Sequence, residues 1–332
     1  MAREIQYLTD GTSDLPPAWL KKHPEVTVVD TPIVAIKPGC PEVSFTGLTP
    51  DTFAEADEYV RKGYTTKTSL PVIWQTPEEE AIDIMSVERL TRQYLSEGKS
   101  VVYLAMNSAI SGAFSQVWTL FQFMSDGVCR SEDDGEAMMT KDRVLCLDTQ
   151  CASTGLAMLI MDLIASEPED LRDVMNFVED RRKHIAHVFT WFEFGYIMRS
   201  GKVNALSAMI GKLFGFHPIC SAEYVDEARP LMTVSDRIRG TYKFIDLLSK
   251  FVRATIANED GVITVAHGNL PDKAEMIAEA LREYLPEAKV LQGPDWRCGA
   301  AIQAHGGPTS IHINYLRNPA TYDETLRIFH EL

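Results

Sequence analysis

The feature that most constrains the fold is a strand, a short polar turn and a helix that follow one another repeatedly in the first half of the chain. The apolar run at residues 100–106 (SVVYLAM) ends in the turn NSAISG, and the helical pattern AFSQVWTLFQF starts directly after it. The same succession occurs where RVLCLD is followed by TQCASTGLAMLIMDLIA. Together with strand patterns at EIQYL and VTVVDTPIVAI, these units predict a parallel sheet with helices on both faces.

Two further segments of the first half have contrasting patterns. The segment TPEEEAIDIMSVERLTRQYL predicts a helix, with Thr76 as N-cap, Pro77 in the first turn and Glu79 completing a capping box. Residues 125–143 (SDGVCRSEDDGEAMMTKDR) have no apolar period and are rich in Asp, Glu and Gly. That composition predicts a surface connection between a helix and a strand.

The second half of the chain has shorter apolar runs, which are HVFTWF, HPICSAEYV and RPLMTVSD, with turn residues between them. A strand at VITVAHG, a helix at PDKAEMIAEALREYL, a late strand at TSIHINYL and a last helix follow. This change of pattern predicts a boundary near residue 165. We therefore expect an N-terminal α/β domain at residues 1–165 and a C-terminal α/β domain with a mixed or antiparallel sheet at residues 166–332.

Composition and charge argue against several classes of protein. The chain has 47 Asp and Glu against 32 Lys and Arg, and its net charge of -15 disfavours a nucleic-acid partner. Its longest apolar stretch, GLAMLIMDLIA, is too short to span a bilayer and contains Asp162. We expect a cytoplasmic protein with at most transient contact with a membrane surface. The six cysteines form no CxxC pair, so we expect reduced, packed thiols, no metal and no cofactor.

Common catalytic and nucleotide-binding motifs are absent. Gln93 stands where a P-loop ending in GKS needs glycine, and neither GxGxxG nor the hydrolase elbow GxSxG occurs. His184 and His187 lie three residues apart, but no carboxylate nearby completes a metal site. We interpret that pair as an exposed helix end and a strand start.

Four polar clusters remain as candidates for a binding site. NSAISG can bind an anion at a helix N-terminus, where backbone N–H groups are unpaired, but taken alone it is better explained by a serine that merely caps the helix. TTKTSLP presents hydroxyl groups that include Thr68, and YIMRSGKVNAL presents Arg199. His267 ends the strand VITVAH, at the edge of a sheet where α/β proteins bind ligands. Each of these three also has a plain structural explanation as a turn, a helix cap or a satisfied polar residue.

Taken in order, six segments resemble the DegV family of bacterial lipid-binding proteins. TDGTSDLPP is similar to that family's TD-x-T-x-DLP start, TKTSLP to its T-S-Q-P segment and NSAISGAFSQ to its S-S-x-L-S-G-T-Y-x-S turn. LDTQCASTGL, YIMRSGKV and VAHGNLPDKAE resemble its V-D-S-x-x-A-S-x-G-L, Y-L-x-R-G-G-R-I and H-x-D-N-x-x-x-A-E stretches. Any one segment is weak, but six in the same order over nearly the whole chain are specific.

The resemblance implies a two-domain α/β fold that buries one long-chain fatty acid between its domains. It implies a carrier without catalysis of its own, which presents the acyl carboxylate to a fatty-acid kinase catalytic subunit for acyl-phosphate formation. By position, the residues implied at the carboxylate are Thr68, Ser108 or Ser111, Gly112 and His267. Arg199 and His305 are implied near the site or on the partner's docking surface. Asn107 replaces the family's first serine, and its amide can also donate a hydrogen bond to a carboxylate.

The residues leave two alternative functions open. A Ser/His acyl hydrolase would use Ser111 as nucleophile and His267 as base, although no GxSxG accompanies them. A module for a small anionic or phosphorylated ligand would use the helix N-terminus alone. Candidates for an apolar tunnel are Phe114, Phe192, Ile210 and Phe214.

Overall fold

The structure of the chain is a computed structural model, and fifteen strands and ten α-helices are assigned among the residues that it describes. Those residues are 4–70, 86–124, 128–130, 137–140, 143–193, 195–199, 216–222 and 232–318. The strands are β1 Ile5–Asp10, β2 Val26–Val29, β3 Ile33–Ile36, β4 Val43–Phe45, β5 Thr65–Thr68, β6 Ser100–Ala105, β7 Val128–Arg130, β8 Ala137–Thr140, β9 Val144–Asp148, β10 Ile185–Trp191, β11 Phe216–Ala222, β12 Met232–Arg239, β13 Val262–His267, β14 Lys289–Leu291 and β15 Ser310–Leu316. The helices are α1 Pro17–Leu20, α2 Pro50–Arg61, α3 Val87–Ser96, α4 Ala113–Met124, α5 Thr154–Ala165, α6 Leu171–Arg181, α7 Gly195–Arg199, α8 Thr241–Thr255, α9 Pro271–Tyr284 and α10 Ala300–Gly306.

The first sheet has the strand order β2-β1-β6-β9-β8-β7, and β2, β1, β6 and β9 are parallel. Its central strands are buried along their whole length, so both faces need a helical cover. Leu104 and Leu147 pack with α5 and α6 on one face, while Tyr103 and Cys146 pack with α3 and α4 on the other. The predicted parallel sheet with helices on both faces is confirmed.

Three details differ from the sequence-based expectation or lie beyond it. VTVVDTPIVAI is two strands in two different sheets, because Pro32 between them has no N–H to continue a ladder. The predicted surface connection at residues 125–143 contains β7 and β8, which extend the sheet antiparallel from β9. Strands of three and four residues are too short to show a period. The capping box of Thr76 and Glu79 lies outside the described residues, and the described helix begins at Val87 behind the cap Ser86.

The second sheet is mixed, as expected, with the order β12-β11-β10-β15-β13-β14. Only β13 and β14 are parallel among its pairs, and the long antiparallel pair of β10 and β15 forms its centre. One face is apolar and packs on α8 and α9 through residues such as Phe244, Ile277 and Ile313. This face holds the core of the second half of the chain.

The other face of the second sheet is turned toward the first sheet and contacts α5. Asn314 of β15 donates through Nδ2 to the Thr154 hydroxyl at 2.6 Å, and Thr264 of β13 donates to the same oxygen at 3.1 Å. Gly155 allows this approach, because a Cβ there would lie 2.6 Å from Asn314 Oδ1. Buried hydrogen bonds therefore fix the position of α5 against the second sheet.

A small third sheet, ordered β4-β3-β5, connects the N-terminal segment to the C-terminal one. Ile33 and Phe53 pack against Ala300 and Ala304 of α10 in one apolar cluster. The sheet thereby holds β5 beside α10, and this contact brings residues from the two halves of the chain together.

The predicted division at residue 165 falls at the end of α5 and stays a proposal. Val174 and Val178 of α6, which that division assigns to the second domain, pack in the core of the first sheet. In the described part of the chain, no helix has the length and hydropathy needed to cross a membrane.

Candidate ligand-binding site

A cavity of about 100 Å³ lies where the carboxyl ends of the first sheet's parallel strands meet the second sheet. Thr12, Ser111 and Ala152 line it from the loops that follow β1, β6 and β9. Ligands in open α/β folds bind at this edge, where the loops of several strands converge. None of the described lining residues is a lysine or an arginine.

The turn NSAISG is built by its own side chains. Asn107 is buried, its Nδ2 donates to the Gln150 carbonyl at 3.2 Å, and its Oδ1 accepts from Ala109 N at 3.0 Å. Its carbonyl accepts from Ile110 N and Ser111 N at 3.1 and 3.0 Å. The Asn107 amide therefore stabilises the turn, and Asn107 is not among the cavity residues.

Ser111 is the serine of this turn that reaches the cavity. Its Oγ accepts from Ala113 N at 3.2 Å, which is the helix-capping role, and its own hydroxyl proton can still be donated. Ser108 is exposed, with its backbone N–H on Asp148 Oδ1 at 3.1 Å, and Gly112 is also exposed. Neither Ser108 nor Gly112 lines the cavity, so the geometry favours Ser111 of the two serines.

The loop after β1 supplies Thr12, which was not identifiable as a site residue from the sequence. Thr12 donates its backbone N–H and its hydroxyl to Asp10 Oδ1 at 2.9 and 2.5 Å, while Tyr103 Oη donates to Asp10 Oδ2 at 2.7 Å. Because the Thr12 hydroxyl proton is used in this way, its oxygen can act only as an acceptor toward the cavity. The segment TDGTSDLPP was recognisable in the sequence. The contact of Thr12 with the cavity, however, depends on how the loop after β1 folds.

Asp14, two residues further on, joins the loop to the C-terminal half. Its Oδ2 accepts from Ser153 Oγ at 2.5 Å and its Oδ1 accepts from Gly299 N at 2.7 Å, just before α10. Burial raises the pKa of Asp14 to about 7, although both hydrogen bonds favour the ionised form. Asp14 therefore helps to hold α10 over the cavity.

Thr68 and His305 meet at another wall of the cavity. Thr68 ends β5, His305 lies on α10, and Thr68 Oγ1 is 3.0 Å from His305 Nε2. Both residues line the cavity, although they are 237 positions apart in sequence. If Nε2 carries the proton and donates it, the threonine hydroxyl is available to donate to a ligand.

The remaining wall is largely apolar and aromatic. It includes Phe189 and Trp191 of β10, whose ring centroids are 5.0 Å apart, and Ile197 and Ile302 from α7 and α10. An apolar wall beside a few hydroxyl groups is typical of a site for an amphipathic small molecule.

Two buried histidines, His187 of β10 and His312 of β15, also line the cavity. His187 Nε2 and His312 Nδ1 are 2.9 Å apart. Burial lowers the pKa of His312 to about 4 and the pKa of His187 well below its ordinary value, and the charge of His312 adds to the effect on His187. Both rings are therefore neutral near pH 7, and one donates to the other.

The interpretation of His184 and His187 as a helix end and a strand start is confirmed, since His184 ends the 3-10 turn Arg182–His184 and His187 lies in β10. His187 is buried, however, and the sequence did not identify its partner His312. The alternation in TSIHINYL, which separates His312 and Asn314 from the aliphatic residues between them, was the available signal.

His267 is not brought to the cavity. It ends β13, its Nδ1 accepts from Leu270 N at 3.1 Å, and its carbonyl accepts from Cys298 N at 3.0 Å. Burial lowers the pKa of His267 to about 4, and the positive charge of Arg297 contributes to the same shift to a smaller extent. These contacts support a structural role at the start of α9.

The other candidates from the sequence are not among the described residues that line the cavity. Arg199 is the last residue of α7. Phe114 packs on Trp118 with centroids 5.5 Å apart, and Phe192 packs on Phe244 at 6.1 Å, so neither lines the cavity. Ile210 and Phe214 lie outside the described residues.

No group of three His, Cys, Asp or Glu side chains suited to a metal occurs in the described ranges.

The chain matches one family model over residues 53–318, and that model is described as DegV, "Uncharacterised protein, DegV family". Among curated relatives, a DegV domain-containing protein of Clostridium perfringens is 25% identical over 68% of this chain and 72% of its own length. A DegV domain-containing protein of Streptococcus pyogenes is 24% identical over 92% of this chain and 96% of its own length.

Solved structures have the same fold. A fatty-acid-binding DegV family protein from Thermus thermophilus superposes with a TM-score of 0.69 at 24% identity, covering 95% of this chain and 100% of its own. A fatty-acid-binding DegV family protein from Streptococcus agalactiae gives a TM-score of 0.70 at 20% identity, covering 96% and 100%. A stearic-acid-binding protein from Eubacterium ventriosum gives 0.68 at 15% identity, covering 96% and 99%.

Proposed function

The chain belongs to the DegV family, and from that premise we propose that it binds one long-chain fatty acid whose carboxylate end lies in the cavity, near Thr68 and Ser111. One observation carries the proposal: hydroxyl groups and an apolar aromatic wall line the same cavity, without a lysine or arginine among its described residues. The descriptions of three solved relatives as binders of fatty acid or stearic acid support the same ligand class.

A carboxylate fits the hydrogen-bonding capacity of this wall. The Ser111 hydroxyl accepts from Ala113 N and retains its proton for a ligand oxygen. Thr68 can donate in the same way when His305 Nε2 donates to it. Hydrogen bonds to an ionised oxygen are about twice as strong as neutral ones, so two hydroxyl donors can hold a carboxylate without a salt bridge.

The acyl chain would supply most of the affinity. Burial contributes about 0.8 kcal/mol per methylene, so a chain of ~15 methylenes gains on the order of 12 kcal/mol before ordering costs are subtracted. A ligand of this kind should remain bound through purification.

We further propose that the protein is a cytoplasmic carrier that presents the carboxylate to a fatty-acid kinase catalytic subunit for acyl-phosphate formation. A carboxylate held by hydroxyl groups alone carries no bound cation that would have to be displaced before phosphoryl transfer. The alternative of a hydrolase that pairs Ser111 with His267 has little support, because Ser111 contacts Ala113 N and His267 contacts Leu270 N.

Mass spectrometry of the purified protein, first under native and then under denaturing conditions, tests the binding proposal. We expect one fatty acid per chain, released on denaturation and identified after extraction. A protein that is empty and also takes up no added stearate would contradict the proposal. Hydrolysis of a p-nitrophenyl ester that disappears in Ser111→Ala would instead support the hydrolase.

Transfer to a kinase is tested separately with Arg199→Ala. We expect this variant to retain its bound fatty acid and to support acyl-phosphate formation at a lower rate than the wild type does. A large loss of bound lipid would indicate that Arg199 belongs to the binding site. An unchanged transfer rate would contradict its assignment to the partner's docking surface.

A further inference from the structure

The His187 and His312 pair gives the cavity a second polar site, separate from the hydroxyl groups of Thr68 and Ser111. His312 is only 7% exposed and lines the cavity, yet its Nε2 has no hydrogen-bond partner among the described residues. Its other ring nitrogen is fully engaged with His187 at 2.9 Å. A buried polar atom without a partner destabilises the unliganded protein, and a ligand that satisfies it gains affinity.

The two possible tautomers of the pair define which ligand group fits. If His312 Nδ1 donates to His187, then His312 Nε2 is a bare acceptor and needs a donor from the ligand. If His187 Nε2 donates, then His312 Nε2 carries a proton and needs an acceptor. A hydroxyl group satisfies either tautomer, a carbonyl group satisfies only the second, and a methylene group satisfies neither.

The position of the pair shows where on a ligand this group would lie. Trp191 lies against Gly306, which follows His305 in α10, so this part of β10 is next to the Thr68 wall. Phe189, which is paired with His312 across the two strands, is two residues away, or about 7 Å at the usual rise of a strand. The histidines therefore lie several carbon atoms from the place of the carboxylate.

We propose that the cavity is specific for an oxygenated acyl chain, a long-chain fatty acid with a hydroxyl group several carbons from its carboxylate, which bonds to the His187 and His312 pair. This inference rests on the proposed binding of a fatty acid and specifies the class of that ligand. The aromatic wall of Phe189 and Trp191 contacts the alkyl part in either case.

The wild-type protein tests the proposal without any substitution. Delipidated protein is titrated with stearate and with monohydroxystearates whose hydroxyl group stands at a series of chain positions. We expect one position to bind roughly three- to tenfold more tightly than stearate, the range of one net hydrogen bond. Equal affinities for stearate and for every hydroxystearate would overturn the inference and leave fatty-acid binding intact. No binding of any of them would instead contradict the proposed function.

Two variants assign the preference to the histidine. His312→Phe keeps an aromatic ring and removes both nitrogens, so we expect the ratio of its affinities for the preferred hydroxystearate and for stearate to fall to about one. Phe189→Leu, on the same wall, is the matched control and should weaken both ligands by the same factor. Imidazole nitrogen NMR of wild-type His312 should shift with the preferred hydroxystearate and not with stearate; the same shift with both would contradict the direct bond.

Discussion

The two faces of the second sheet differ in what they contact, and β15 shows the difference residue by residue. Ile311, Ile313 and Tyr315 are fully buried in the apolar core against α8 and α9. His312 and Asn314, which alternate with them, face the cavity and α5 through hydrogen bonds. The first face therefore stabilises the fold by apolar packing. The second face relies on buried hydrogen bonds between specific partners, so a substitution that removes one partner leaves the other without its hydrogen bond.

The largest expected effect is on the apolar face. Ile313→Ala should lower the free energy of unfolding by about 2–5 kcal/mol, because it removes fully buried methyl groups and leaves a cavity. Chemical denaturation of the two proteins measures this loss. Val262→Ala, at a residue that is 39% exposed, is the matched control and should cost less than about 1 kcal/mol. Similar losses for both variants would contradict the assigned core.

A smaller loss is expected where α5 approaches the polar face. Alanine normally favours a helix over glycine by about 1 kcal/mol, but a Cβ at Gly155 would lie 2.6 Å from Asn314 Oδ1. We therefore expect Gly155→Ala to lower the free energy of unfolding by about 1–3 kcal/mol in denaturation experiments. Gly112→Ala, whose Cβ would be 3.4 Å from the end of the Gln116 side chain, should change stability by less than about 0.5 kcal/mol. A stabilising Gly155→Ala would show that α5 can move away from the sheet.

The pH dependence of stability also distinguishes the two faces, because the polar face holds a neutral histidine. The pKa of His312 falls from 6.5 to about 4 on folding, so between these pH values the unfolded chain binds a proton that the folded chain does not. The stability that His312 contributes is therefore lost as the pH falls through this window. We expect His312→Phe to gain about 1–2 kcal/mol relative to wild type between pH 7 and pH 5, measured by denaturation at each pH.

Asp14→Asn is a control for which the stability relative to wild type should change with pH in the opposite direction. The pKa of Asp14 rises from 3.8 to about 7 on folding, so the folded chain holds the extra proton, and the stability that Asp14 contributes is lost as the pH rises through 7. The variant should lose stability relative to wild type as the pH falls from 7 to 5. Parallel pH profiles for wild type and both variants would refute both assignments.

Across the cavity from the polar face, the expected change is in ligand affinity and not in stability. Thr68→Val combined with Ser111→Ala removes both proposed hydroxyl donors and should weaken stearate binding by about thirtyfold or more, since each net hydrogen bond to a charged group is worth at least about 1 kcal/mol. Titration of delipidated protein measures the affinity. The folded state should persist, as the unfolding midpoint would show. Ser108→Ala is the control, because Ser108 is exposed and lies outside the cavity. An unchanged affinity in the double variant would count against both residues.

Local sequence patterns predicted much of the first sheet because each strand and its helix are neighbours in the chain. Thr68 was also a candidate from sequence, and so was Ser111, with Ser108 left open beside it, since each lies in a short polar segment of a recognisable motif. His312, Phe189 and Trp191 were not identified. Every residue of β10 is buried, so alternation in HVFTW does not show which side faces a cavity and which side faces the core. That distinction depends on α10 and β15, which are more than a hundred positions away.

The cavity is lined by residues from near both ends of the described chain, from Thr12 after β1 to His312 in β15. During synthesis, the hydroxyl groups of Thr12, Thr68 and Ser111 leave the ribosome long before the strand that completes the second sheet. A nascent chain could therefore bind the proposed fatty acid only after β15 has inserted between β10 and β13. Uptake of such a ligand would follow the synthesis of nearly all the residues that the structure describes.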